Sequence, residues 1–95
     1  MYGTVARICL NDGMEQTLIE RLAGRTGQIP GYVAGYLYRL DDEASTYLLT
    51  VVFASKDAYV ANAQSPEQDE HFRSLRETMA ADPEWHDGEI VYAHG

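Results

Sequence analysis

The residues that could carry chemistry lie in one stretch, SPEQDEHFRSL, which combines carboxylates with an imidazole. Glu67 and His71 are four residues apart, so on a helix their side chains share a face and could bind a metal ion or transfer a proton. A metal site needs at least three converging ligands, and Asp69 and Glu70 point to other sides of such a helix. Carboxylates in a first turn also suit the helix dipole. We therefore predict no metal site and keep His71 as a candidate catalytic base or proton donor.

Composition limits the classes of function. The chain of 95 residues is predicted to form a single domain, residues 1–95, and its 15 acidic against 7 basic residues give a net charge of −8. Such a surface repels nucleic acid and anionic lipid, so neither is expected as a partner. No apolar run approaches the length of about 20 residues that spans a membrane. The start of the chain lacks the pattern of a signal peptide, and Cys9 has no second cysteine with which to pair. We expect a cytoplasmic protein.

Apolar periodicity predicts the order of the elements in the first half of the chain. The segment GTVARICL has the composition of a strand, and MEQTLIERLAG places apolar residues on one helix face. Gly24 and Gly27 are expected to end that helix. Two further strands, YVAGYLYRL and TYLLTVVFA, are joined by the polar segment DDEAS as a hairpin.

Capping signals predict the second half. Ser55 can cap a short helix, and Ser65 can cap a longer one, with Pro66 at its first position and Gln68 completing a capping box. One more helical turn is expected after Asp82, and the pair at 87–88 is expected to turn the chain into a last strand, EIVYAH. The order β-α-β-β-α-β predicts a ferredoxin-like α+β fold, in which the helices cover one face of a four-stranded antiparallel sheet.

The second and third strands are apolar on both faces. Alternation places Tyr32, Ala34, Tyr36 and Tyr38 on one side of the second strand. Because the helices can cover only one face of the sheet, a second copy of the chain is the expected cover of the other. We therefore predict a homodimer formed through the sheet face.

The chain resembles antibiotic biosynthesis monooxygenase-like proteins, which belong to the dimeric α+β barrel superfamily. The resemblance extends over essentially the whole chain and is carried by NDGMEQTL, IPGYVAGYLYRL, TVVFASKDAYVANAQSPEQDEHFRSL and DPEWHDGEIVY. It implies a homodimer whose sheets pack face to face as a barrel, with a pocket between the sheet and the helices of each subunit. Some relatives oxidise aromatic compounds with O2 and without metal or flavin, others degrade haem, and many have no known activity.

The haem-degrading branch can be compared residue by residue. Those relatives carry an asparagine in the first strand, a tryptophan at the end of the third strand and a histidine in the later helix. The matching positions here hold Ala6 and Phe53, and His71 lies at or beside the third. The resemblance therefore disfavours haem degradation and leaves haem binding through His71 as an alternative.

The chemistry of the oxygenase branch requires few catalytic groups from the protein, because an electron-rich phenol can itself reduce O2 once it is deprotonated. The protein has to bind the compound, stabilise its anion and exclude water. We predict a pocket for a small apolar or aromatic molecule, with no cofactor. Its candidate catalytic residue is His71, and its candidate substrate-binding residues are Tyr36, Tyr38, Phe53, Asn62 and Phe72. The alternative is a non-catalytic dimer of the same fold that binds a small ligand.

Overall fold

The computed structural model, which describes all 95 residues, contains one antiparallel sheet and three helices. The strands lie in the order β2-β3-β1-β4. The predicted ferredoxin-like α+β fold is confirmed. None of the helices has the length and hydropathy needed to cross a membrane. In chain order the elements are β1 (Tyr2–Cys9), α1 (Glu15–Thr26), β2 (Tyr32–Arg39), β3 (Thr46–Phe53), α2 (Lys56–Ala63), α3 (Pro66–Arg76) and β4 (Glu84–Glu89).

Strand alternation decides which side chains meet the helices. Ala6 of β1 pairs with Leu49 of β3, which pairs in turn with Leu37 of β2, and this row faces the helices. We call this face the helix side and the opposite face the outer face. The core lies on the helix side, where burial of apolar surface supplies the main driving force for folding. Its buried members are Ala6, Ile8, Leu10, Leu18, Tyr47, Leu49, Leu75 and Met79.

The helix starts follow the predicted capping signals. The side chains of Ser55 and Ser65 each accept a hydrogen bond from the backbone N–H three residues later, at 3.1 Å. The capping box is only half formed, because the Gln68 side-chain oxygen accepts hydrogen bonds from Arg25 and Asn62. The expectation that Gly24 ends the first helix is wrong, since α1 continues through it to Thr26 and is capped at Gly27.

The secondary structure predicted for the residues after Asp82 is also wrong. No helical turn follows Asp82, and the last strand is Glu84–Glu89, so Asp87 and Gly88 lie inside β4 and not in a turn before it. The reason is long-range pairing. This segment pairs with the free edge of β1, with Glu84 opposite Arg7 and Glu89 opposite Tyr2. The hydrogen bonds between the two strands outweigh the local preference for a turn.

A β-bulge changes the predicted face of one tyrosine. The register between β2 and β3 shifts between Tyr32 and Ala34, so an extra residue, Val33, interrupts the alternation. Tyr32 therefore lies on the helix side with Phe53, opposite to the face of Ala34. Gly31 comes just before the bulge, in a backbone conformation that favours glycine, with a φ of +78°. A Cβ at this position would lie only 2.6 Å from the Cβ of Ala58.

The outer face presents apolar side chains to solvent in a single chain. Val5 is 41% exposed, Tyr36 61% and Tyr38 52%, and the strand register places all three on this face together with Leu48 and Val52. An apolar face of this kind on a sheet usually marks a contact surface.

A charged network fixes α1 to the sheet at the opposite end from α2. Arg39 donates from Nε and Nη2 to the two carboxylate oxygens of Glu15, both at 2.6 Å, and the Tyr47 hydroxyl donates to Glu15 Oε1 at 2.8 Å. The hydrogen bonds from Arg39 and then from Tyr47 lower the pKa of Glu15 from 4.5 to about 2. The folded state therefore holds this carboxylate in its charged form more firmly than the unfolded chain does.

Replacement Glu15→Gln is expected to destabilise the protein in a pH-dependent way. A folded pKa below the unfolded value stabilises the fold above pH 4.5, and this stabilisation disappears as the pH falls toward about 2. Urea unfolding should therefore show a gap between wild type and E15Q at neutral pH that narrows below pH 4.5. E20Q, on the same helix, is the control. An equal gap at neutral pH and at about pH 3 would contradict the assignment.

Candidate active site

A cavity of about 660 Å³ lies between the helix side of the sheet and the three helices. This volume falls in the range that small-molecule sites occupy. Its walls are largely apolar and include six aromatic residues, Tyr32, Tyr36, Phe53, Tyr59, Phe72 and Trp85. Several of these rings pack edge to face, with centroids 5.4 Å apart for Phe53 and Tyr59 and 5.9 Å apart for Tyr32 and Phe53. Such walls suit a flat aromatic ligand.

Polar side chains from all three helices meet next to the cavity, and two of them, Asn62 and Gln68, line it. Arg25 of α1 donates from Nη1 to Gln68 Oε1 of α3 at 2.6 Å and to Asn62 Oδ1 of α2 at 3.3 Å. Asn62 also donates from Nδ2 to Gln68 Oε1 at 3.2 Å. We call these three residues the helix cluster. Only one of the two amide hydrogens of Asn62 is used within it, so the other can be donated to a ligand.

Arg25 differs from the other arginines in its lack of a counter-ion. Each of the other five has a carboxylate oxygen within 4.0 Å, whereas the partners of Arg25 are two neutral amide oxygens. Its charge is therefore hydrogen-bonded but not neutralised. A part-buried cation of this kind favours an anion nearby.

His71 stands in the wall of the same cavity, half-buried on α3. Burial, followed by the positive charge of Arg25, lowers the pKa of His71 below its ordinary value of 6.5. No carboxylate lies near enough to form an ion pair with this imidazole; of the histidines, only His86 has such a partner. His71 is therefore neutral at pH 7 and can accept a proton.

A second group of polar side chains reaches the cavity from the sheet and α2. The Tyr59 hydroxyl donates to Asp87 Oδ1 at 2.9 Å, and burial together with this carboxylate raises the pKa of Tyr59 to about 12. Thr4 lies beside them with 5% of its surface exposed, and its side chain, as a hydrogen-bond partner of Tyr59, acts to lower that pKa. We call Thr4, Tyr59 and Asp87 the sheet cluster.

The structure brings most of the predicted site residues together. His71, Asn62, Phe53 and Phe72 all line the cavity. Tyr36 also borders the cavity, but strand alternation places its side chain on the outer face, where it is 61% exposed, so its prediction as a substrate-binding side chain is not supported by the register. Tyr38 lies outside the cavity, because strand alternation turns it to the outer face while its neighbours Leu37 and Arg39 face the helices.

The segment SPEQDEHFRSL does not form a metal site. Glu67 is exposed at the start of α3 while His71 faces the cavity, and no three His, Cys, Asp or Glu side chains converge anywhere in the chain.

Several residues of the cavity are not among the predicted candidates. Tyr59 has a sequence signal, because it lies three residues before Asn62 and shares its face of α2. Thr4 has one too, since it alternates with the buried Ala6 on β1. Arg25 does not line the cavity but is hydrogen-bonded to two residues that do, and it has no sequence signal, because these contacts join α1 to helices far away in the sequence.

Comparison with known proteins identifies one family. The family model named antibiotic biosynthesis monooxygenase matches residues 1–81, so β4 with Trp85 and Asp87 lies beyond the matched part. No curated protein gives a significant match.

Solved structures show the same fold at low sequence identity. A proposed antibiotic biosynthesis monooxygenase from Chloroflexus aurantiacus J-10-fl is 22% identical, with a TM-score of 0.80 over 99% of this chain and 96% of the other. SnoaB, a cofactor-independent oxygenase from Streptomyces nogalater, is 20% identical, with a TM-score of 0.80 over 97% of this chain and 94% of the other. A proposed monooxygenase from Caulobacter crescentus CB15 is 21% identical, with a TM-score of 0.78 over 96% and 90%. At these identities the likeness is one of fold.

Proposed function

The chain belongs to the antibiotic biosynthesis monooxygenase family, and we propose that it is a cofactor-independent monooxygenase that oxidises a small aromatic or quinol-type compound with O2 in the cavity. The observation that carries the proposal is the half-buried imidazole of His71 in the wall of a largely apolar cavity, where burial and then the charge of Arg25 lower its pKa. The fold of SnoaB, described as a cofactor-independent oxygenase, supports it.

The first step is removal of a phenolic proton. A phenol bound among the aromatic walls presents its hydroxyl to His71, and the neutral imidazole takes the proton. Burial is the larger cause of the lowered pKa of His71, and the charge of Arg25 adds to it. Arg25 does not line the cavity, so it acts on the phenolate through Asn62 and Gln68, the wall residues to which it donates. The free amide hydrogen of Asn62 can be donated to the anion.

The second step is oxidation of the phenolate by O2. The electron-rich anion reduces O2, and one oxygen atom replaces the hydrogen of a ring C–H while the phenol becomes a carbonyl. For 1,5-dihydroxynaphthalene the balance is one diol and one O2 giving one hydroxynaphthoquinone and one water. The substrate loses four electrons and O2 gains four. The aromatic walls contribute by excluding water from the anion.

Replacement of His71 tests the proposal directly. We expect wild-type protein to accelerate O2 uptake and quinone formation from 1,5-dihydroxynaphthalene in an oxygen electrode. His71→Gln is expected to lower kcat by roughly 100-fold or more, because a positioned general base contributes at least that much. His94→Gln, in the C-terminal residues outside regular secondary structure, is the control and should retain the wild-type rate.

Two results would contradict this assignment. Binding of the diol with O2 uptake no faster than in buffer would indicate the non-catalytic binding protein. A Soret band on titration with haem, lost in H71Q, would indicate the haem-binding alternative.

We also propose that the protein is a homodimer formed through the outer face. Support comes from the exposed apolar side chains of Val5, Tyr36 and Tyr38 on that face. Helices cover only the other side of the sheet, so a second sheet packed against this face would bury these side chains.

Tyr38→Glu is expected to dissociate this dimer, because it places a charge in the apolar contact. Sedimentation equilibrium should give the mass of two chains for wild type and of one chain for Y38E. Tyr92→Glu, at a position 80% exposed in the C-terminal residues, is the control and should remain dimeric. A wild-type protein that sediments as one chain would refute the proposal.

A further inference from the structure

Trp85 is the only tryptophan of the chain, and it lies in the wall of the cavity. On the edge strand β4 it pairs with the buried Ala6 of β1, so its side chain is on the helix side and not on the outer face. Apart from Tyr36, whose side chain is on the outer face, Trp85 is the most exposed large apolar side chain of the wall, at 45%. Tryptophan is highly buried on average, so this exposure requires an explanation.

The exposure of Trp85 follows from the position of β4 at the edge of the sheet. All six residues of β4 are exposed, so the helices leave this strand largely uncovered. Side chains bridge the gap. The Trp85 ring packs on Phe72 of α3, with centroids 6.0 Å apart and planes tilted by 54°, and Asp87 accepts a hydrogen bond from Tyr59 of α2. All four residues line the cavity, so these side chains border it along β4.

A flat ligand can complete the packing of Trp85. Phe72, on which Trp85 packs, directly follows His71 on α3, and both residues line the cavity. A ligand whose hydroxyl lies at His71 is therefore close to the Phe72–Trp85 pair. A second fused ring would add flat apolar surface that can stack on the accessible part of the indole.

We propose that Trp85 is a specificity-determining residue of the cavity, where its indole stacks on a fused second ring of the aromatic ligand. The proposal rests on the proposed use of the cavity for an aromatic compound. It predicts a preference for fused-ring diols over single-ring diols. Trp85 lies beyond residues 1–81, which the family model matches, so the family match does not imply this role.

The indole N–H of Trp85 reports stacking directly. Because the chain has one tryptophan, proton–nitrogen correlation NMR spectra contain a single indole signal. Titration with 1,5-dihydroxynaphthalene in the absence of O2 should move this signal through the ring current of the stacked ligand until the site is saturated. Resorcinol, which has the same number of hydroxyls on one ring, should move it less. An indole signal that stays in place throughout the naphthalene titration would overturn the proposal.

Replacement of Trp85 measures its contribution to binding. Equilibrium dialysis without O2 gives the dissociation constants of both diols. Trp85→Ala is expected to weaken binding of the naphthalene diol roughly tenfold and binding of resorcinol less than about twofold. Trp85→Phe keeps an aromatic face and should retain most of the preference for the naphthalene diol. Tyr92→Ala removes an exposed ring outside the cavity and is the control, with wild-type affinity for both diols.

Two outcomes of dialysis would refute the role of Trp85. Wild-type affinity for the naphthalene diol in W85A would do so, and an equal loss for both diols would show that Trp85 only supports the packing of the wall. Should W85A fail to fold, the indole signal of the wild-type protein decides the question without a substitution. An indole shift in a protein without turnover would refute only the oxygenase, and turnover without an indole shift would refute only the role of Trp85.

Discussion

One guanidinium joins the three helices. Arg25 of α1 donates hydrogen bonds to Asn62 of α2 and to Gln68 of α3. No other side chain of α1 is hydrogen-bonded to both of these helices. The network fixes the helices above the sheet at the point where the cavity lies between them. The acceptors are neutral, so the charge of Arg25 is hydrogen-bonded without being neutralised, and Asn62 and Gln68 connect it to the cavity wall.

The charges around the cavity are mixed. The chain carries a net charge of −8, and two carboxylates, Asp69 and Asp87, are among the residues of the cavity wall. Each has a partner, because Asp69 forms an ion pair with Arg73 and Asp87 accepts a hydrogen bond from Tyr59. Arg25 is not part of the wall, but it is hydrogen-bonded to two wall residues, Asn62 and Gln68, and its charge acts on the cavity through them.

The sequence allows the fold to be predicted because local and long-range preferences agree over most of the chain. Capping serines mark the starts of α2 and α3, and apolar alternation marks the central strands. Prediction fails where pairing with another strand overrides local preference. Asp87 and Gly88 resemble a turn but continue β4 along the edge of β1, and the bulge at Val33 reverses the face of Tyr32.

Only part of the candidate site can be predicted, because some of its contacts join residues far apart in the sequence. Helix position identifies His71 and Asn62, because each belongs to a face that must meet the sheet. The role of Arg25 depends on distances between helices that no local pattern encodes.

Burial in the cavity wall, aided by the charge of Arg25, keeps the pKa of His71 below its ordinary value, and NMR titration of the His71 imidazole tests this most directly. We expect a midpoint below 6.5 in the wild-type protein and a higher midpoint in Arg25→Gln, because the second cause of the lowered pKa is removed. Arg21→Gln removes the same charge one helical turn earlier, where it pairs with Glu77, and should leave the midpoint of His71 unchanged. A wild-type midpoint at or above 6.5, or one that does not move in R25Q, would contradict the account.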